Sequence, residues 1–226
     1  MKNPYATRSE TYEAFLAIEA AAYREKILFI EENFFMLREL HGDEYFDMMV
    51  LYGEALFETG EYGRQAKLAD HIIEMSMERN IIFHRGQDIY FETLFKKAAS
   101  LHNLDQIDKA VHILKELIKM NPDHESTKLF LINCLIRQKK AIVRPYRSIS
   151  LVLLMTSALV IAVELLLVNT LWPNWSSIVE IIRNGLFISG VVLLIAGEMI
   201  VRYRAVEDVY SFSRQTRKKK EEVNSE

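Results

Sequence analysis

Ser148 to Leu171 is a 24-residue stretch in which 17 residues are apolar and only Glu164 is charged. A bilayer core about 30 Å thick needs roughly 20 apolar residues as a helix. The stretch therefore predicts a transmembrane helix over 148–171. A second run, Gly185 to Val201, has 17 residues and a single charge, Glu198. Ile178–Ile182 extends it outward, which predicts a second transmembrane helix over 178–201. Between them lies Trp172-Pro173-Asn174-Trp175-Ser176-Ser177. Pro and Asn turn the chain, and two Trp suit the aromatic belt at a membrane boundary. Residues 172–177 are thus expected to form a tight external turn. Core helices of soluble proteins are shorter and carry a polar stripe, whereas both runs are apolar all round for most of their length.

Lys and Arg set the expected orientation. Arg137, Lys139, Lys140, Arg144 and Arg147 precede the first run, and residues 141–147 read as a basic linker hinged at Pro145. Arg202 and Arg204 follow the second run, and Arg214, Arg217, Lys218, Lys219 and Lys220 come later. The turn has no Lys or Arg. The positive-inside rule places both termini in the cytoplasm, and a bacterial plasma membrane is the expected location. Residues 202–226 are expected to be a basic cytoplasmic tail, with Arg214–Lys220 either touching lipid headgroups or solvated. Residues 1–20 hold Glu10, Glu13 and Glu19 and no apolar core, so no signal peptide is expected there.

Residues 1–140 differ in kind. They hold 23 acids and 18 bases, whereas the remainder is net +2. The overall charge of −3 and a mean hydropathy near zero are averages over an acidic part and an apolar one. Ala110, Val111, Leu114, Leu117 and Ile118 form an apolar face at helical spacing, and Leu94, Ala98 and Leu101 form another just before it. His102–Gln106 is a polar turn between them, and Pro122 cannot continue the second helix. Leu94, Ala98, Leu101, Ile107, Ala110, Leu114, Leu117 and Pro122 have the spacing of a tetratricopeptide (TPR) repeat, and this region resembles that family. A second, weaker unit runs from Phe46 to about Asn80. It has Gly53 at a small-residue place and Gly60-Glu61-Tyr62 at the turn, after which Ala66 comes one residue late. Tyr62 and Ile107 are 45 residues apart, which implies an insertion around Ile81–Gln87. Thr11–Tyr23 and Ile27–Leu40 read as two earlier helices joined near Arg24, and Ser126–Lys140 as a capping helix. The fold class expected is all-α, a TPR-like domain over 1–140 followed by a two-helix transmembrane hairpin.

The resemblance implies a concave groove, lined by the first helix of each pair, that takes a protein or peptide partner. Projected onto this chain, it contains Asp47, Val50, Leu51, Glu54, Phe57, Phe95, Lys96, Ala99 and Asn103. Asp47 and Glu54 argue against a clamp for a terminal carboxylate and for an apolar or basic peptide. Phe29, Phe34 and Phe35, with Met36, read as core. Met48, Met49, Met75 and Met77 also read as core, or else as a soft partner surface.

Little else points to chemistry. Six scattered histidines, His41, His71, His84, His102, His112 and His124, make no metal-binding spacing. No catalytic serine, phosphate-loop or dinucleotide pattern occurs. Cys134 is the lone cysteine, so no internal disulfide can form. No enzyme activity, cofactor, metal or nucleic acid is expected. Glu164 stands out, because a carboxylate inside a span costs about 2.5–3.5 kcal/mol on insertion scales and needs a partner. It lies ten residues before Asn174, and Arg183 lies nine after it. At equal rise the two share a depth, which predicts an intramembrane ion pair with Asn184 nearby. Glu198 is expected to reach Arg147 or Arg202. Gly185, Ser189, Gly190, Ala196 and Gly197 would permit close packing on Ser157, Ala158 or Ala162, or association into a homo- or hetero-oligomer.

The leading expectation is a membrane-anchored scaffold that recruits a protein partner. The alternative is a small subunit of a transporter or channel in which Glu164 and Arg183 do the work, and a weaker third is a membrane stress or signalling regulator.

Overall fold

A computed structural model describes residues 9–37, 39–164, 166 and 176–223, without the side chains of 140–146, 176–177 and 223. The described residues are helical apart from short connections and one two-stranded ribbon. They divide into two compact units, Met1–Asn121 and Pro122–Glu226. The first carries 21 acids and 14 bases, the second 10 acids and 14 bases.

The first unit contains α1 (Glu10–Ala17), α2 (Tyr23–Glu32), α3 (Phe34–Leu37), α4 (Gly42–Glu58), α5 (Tyr62–Glu78), α6 (Ile89–Asn103) and α7 (Ile107–Met120). Ser9 caps α1 by accepting from the Tyr12 amide at 3.2 Å, and Asp88 caps α6 by accepting from the Phe91 amide at 2.9 Å. Side-chain oxygens satisfy the orphan amides of a first turn in this way. The break between the first two helices falls at Ile18–Ala22 rather than at Arg24, and there Lys26 Nζ donates to the Ala20 carbonyl at 2.6 Å.

α4–α5 and α6–α7 are two helix pairs on one plan. Each first helix ends in a left-handed residue, Gly60 (φ 84°) or Asp105 (φ 60°). The Glu61 amide donates to Leu56 O at 2.8 Å, and the Gln106 amide donates to Leu101 O at 2.9 Å. These are Schellman caps 45 positions apart. The offset holds throughout the core. Phe46, Gly53, Leu56, Ala66, Ala69 and Ile72 are buried, and so are Phe91, Ala98, Leu101, Val111, Leu114 and Leu117. In this register Gln65 matches Ala110 and Ala66 matches Val111, so Ala66 does come one residue after the small-residue place. The insertion is the ribbon β1 (Phe83–His84) with β2 (Gln87–Asp88), closed by Arg85 and Gly86 with φ of 51° and 82°. Two positive φ angles are what a type I′ hairpin turn demands.

The second unit contains α8 (Glu125–Gln138), α9 (Lys140–Val163) and α10 (Ser176–Val223). The boundary between units falls at Asn121, earlier than 140, because α8 packs on the distal half of α10. Val201, Ala205, Val209 and Ser213 are its buried stripe, and Ser213 Oγ donates to Pro122 O at 2.8 Å. Residues 141–147 are helix rather than linker, and the break lies at Lys139, not Pro145. The segment expected to be a basic tail is helix over residues 202–223. α10 is the one described helix long and apolar enough to cross a membrane, over Ile178–Glu222. The apolar part of α9, Arg147–Val163, is shorter. The expected turn at 172–177 lies mostly outside the described residues.

Candidate functional site

In the second unit, α9 and α10 pack along a seam that repeats every seven residues. On α9 the buried positions are Ser150, Ser157 and Glu164. On α10, Gly190 and Gly197 are buried, and Arg183, seven before Gly190, is partly buried. A seven-residue repeat keeps two helices in contact at a shallow crossing angle. Gly190 lets them approach, since a Cβ there would meet Leu154 at 3.2 Å. Ser150 Oγ donates to Gly190 O at 2.7 Å, and Ser157 Oγ donates to Arg183 O at 3.3 Å.

Glu164 and Arg183 close the seam. Arg183 Nη1 donates to Glu164 Oε2 at 2.8 Å, Arg183 Nε donates to Asn184 Oδ1 at 3.2 Å, and Glu180 lies 3.7 Å from the same guanidinium. At the other end Arg147 pairs with Glu198. Of the small residues singled out in the sequence, Ser157, Gly190 and Gly197 lie in the seam, whereas Ala158, Ala162 and Gly185 are exposed. The outer surface is apolar: Met155 is 73% exposed, Leu159 64% and Ile181 72%. Polar groups therefore lie inside and large apolar side chains outside.

Beyond the seam α10 carries the basic cluster. Arg217 pairs with Glu221 at 3.0 Å and Asp123 at 3.6 Å, while Arg214, Lys218 and Lys219 are exposed. Arg214 to Lys220 lie about 20 to 28 Å past Val201 along a helix rising 1.5 Å per residue. Lys139 pairs with Asp208 at 2.7 Å, which ties the end of α8 to the same helix.

In the first unit the projected groove residues sit on α4 and α6. Val50, Leu51, Glu54 and Phe57 are half-buried on α4, as are Phe95, Lys96 and Ala99 on α6, and Asn103 is exposed. Lys96 Nζ lies 3.5 Å from Glu54, so these two charges face each other. Asp47 is a correction to the groove: it is buried, not lining an open surface. Tyr12 Oη donates to it at 2.7 Å, and Arg85 grips it with Nε at 2.9 Å and Nη2 at 2.7 Å. His84 Nε2 stands 2.7 Å from the same carboxylate. Burial raises the Asp47 pKa, but the hydrogen bonds from Arg85 and Tyr12 and the nearby positive charge outweigh it, so the carboxyl stays below its ordinary range. Asp47 thus fastens the ribbon and α1 to α4. Sequence reasoning missed this hub because its partners lie 35 to 38 residues away, where no local period reports them.

Met48, Met49 and Met75 are core, and Met77 is exposed. Phe29 packs against the core. Phe34, Phe35 and Met36 were expected with it, and instead they are exposed on α3, because the four-residue helix turns only Leu37 inward. A hollow of about 840 Å³ opens between α5, α6 and α7, with Lys67, Lys97 and Lys109 around Ala66, Leu101 and Ile113. Lys97 is held by Asp70. Burial pushes the Cys134 thiol up to about 11, which leaves it unreactive at neutral pH. No protein-family model, curated protein or solved structure matches the chain.

Proposed function

We infer that the chain is a membrane-anchored adaptor. α9 and α10 form a transmembrane hairpin with both termini in the cytoplasm, and the TPR-like pairs α4–α5 and α6–α7 bind a protein partner. The observation that carries this reading is the inverted packing of α9 on α10. Large apolar side chains on the outside are stable against lipid, and an inward Glu164–Arg183 pair is how a bilayer tolerates two charges. Serine bonds to backbone carbonyls and a close glycine contact are the ordinary means of helix association in lipid.

The 45-residue offset and matching caps support a repeat domain, and Val50, Leu51, Phe57 and Phe95 supply its apolar groove lining. Tethering such a groove raises the partner's effective concentration at the surface. Arg214–Lys220 lie beyond one Debye length of the lipid, about 8 Å in physiological salt, when α10 stands across the bilayer. They are therefore better suited to a cytoplasmic contact than to headgroups. The plasma membrane of a bacterium remains the location we propose from the Lys and Arg distribution.

The test is affinity purification of the full chain from mild detergent, with partners identified for wild type, Phe95→Glu and Glu164→Ala. A stoichiometric partner lost only with Phe95→Glu supports the adaptor. The buried Glu164–Arg183 pair favours a second reading, a transporter or channel subunit. A partner lost with Glu164→Ala but kept with Phe95→Glu would establish that reading instead.

A further inference from the structure

The first unit is not uniformly acidic. Residues 9–60 hold 12 Asp and Glu against three Lys and Arg, whereas residues 61–121 hold nine of each. The acidic half also carries an apolar surface. Leu28 on α2 is 55% exposed, Phe35 on α3 is 82% exposed and Met36 is 57% exposed. Glu25, Glu32 and Glu39 are exposed in the same segment and make no ion pair among the described residues. Acid and apolar residues alternate along this segment, Glu25, Leu28 and Glu32 on α2, Phe35 on α3 and Glu39 just beyond it. Exposed aromatics rimmed by polar groups mark interaction surfaces.

We propose that the α2–α3 edge docks a cationic amphipathic helix of a protein partner, separately from the α4–α6 groove. The charge selects the occupant. The surrounding residues 9–60, with four acids for every base, repel an anionic bilayer; on the α2–α3 edge itself Lys26 is buried and Glu31 is held by Arg64, which leaves Glu25, Glu32 and Glu39 for Lys or Arg of the partner. Leu, Ile or Phe on the partner's other positions would cover Leu28, Phe35 and Met36, as an amphipathic helix lays its apolar face into a receptor. Such charge matching sets partner choice and on-rate, and the central aromatic supplies most of the affinity.

The test uses the full chain in zwitterionic lipid nanodiscs and a labelled peptide with Lys and Leu at helical spacing, read by fluorescence anisotropy. A Glu–Leu counterpart is the control. Wild type is expected to bind the cationic peptide and not the anionic one. Phe35→Ala and Glu25→Lys with Glu32→Lys should each weaken binding at least about tenfold, a loss of about 1.4 kcal/mol. Glu74→Lys with Glu78→Lys should leave it within about twofold. Equal loss from both charge reversals would reduce the effect to general acidity and overturn the proposal. A Phe35→Trp variant quenched by brominated lipid would show that a bilayer covers the face, and a wild-type dimer dissociated by Phe35→Ala would show that a second copy does. Either result also overturns it. Phe95→Glu should leave peptide binding unchanged, so failure of the groove reading stays distinguishable.

Discussion

The α4–α7 helix pairs and the α9–α10 pair use the same backbone and opposite side-chain logic. In α4–α7, Phe46, Leu56, Leu114 and Leu117 are buried while Lys, Glu and Asp cover much of the outside. In the pair, Ser150, Ser157 and Glu164 are buried while Met155, Leu159 and Ile181 face outward. Water drives the first arrangement, because apolar area leaves solvent. It gives no reason for the second. Serine inside and leucine outside suit the lipid surroundings proposed above, where no solvent offers hydrogen bonds.

The contrast breaks most sharply at Glu164. Glu164→Leu should leave the partly buried Arg183 with only Glu180 and Asn184 beside it and cost at most about 3–5 kcal/mol of α9–α10 packing. The double change Glu164→Leu with Arg183→Leu should recover most of it, as measured by unfolding in detergent micelles. Exchanging the charges, Glu164→Arg with Arg183→Glu, should be milder than either single change. If it is no better, direct pairing is wrong.

Truncation tests the two solvents against each other. Leu114→Ala, at a fully buried site, should cost about 2–5 kcal/mol in thermal or denaturant unfolding of the full chain. Leu159→Ala, at an outward site, should change the α9–α10 pair by less than about 0.5 kcal/mol. Equal costs would mean that the outer face of α9 is a buried protein surface.

Gly190→Ile should cost about 1–3 kcal/mol by overpacking Leu154. Gly185, exposed with nothing near it, should accept Ile at little cost. Comparing the two by helix-association assay sharpens where the seam runs.

The smallest expected effect is one of pH. The Asp47 carboxyl is held below its ordinary range, so its contribution is complete at neutral pH and persists above about 4. It is lost as acid carries the pH below the lowered value. Asp47→Asn should flatten the acid limb of thermal stability in the first unit and leave the α9–α10 pair untouched, which unit-specific hydrogen exchange resolves.

Much of this was legible from residues. The α7 face, Ala110 to Ile118, is buried as its spacing predicts. The 45-residue gap from Tyr62 to Ile107 was visible too, and it is the offset at which the caps of the two helix pairs match. The distal half of α10 escaped because Arg and Lys dominate its composition. Its signal was the step of four through Val201, Ala205, Val209 and Ser213, a pattern that small residues make faint. Phe34, Phe35 and Met36 were misjudged for the opposite reason. Composition says core, but Asn33 ends α2 and a single turn remains to bury them.

α10 carries two contact lines of different pitch. Its seam with α9 steps by seven, about 20° short of two turns, whereas its stripe against α8 steps by four, about 40° past one turn. The two lines therefore wind around the helix with opposite hands, like a rod threaded left at one end and right at the other. To slide along α9 the rod must turn one way, and to slide along α8 it must turn the other. Sliding α10 as a piston would therefore break one of the two contact lines.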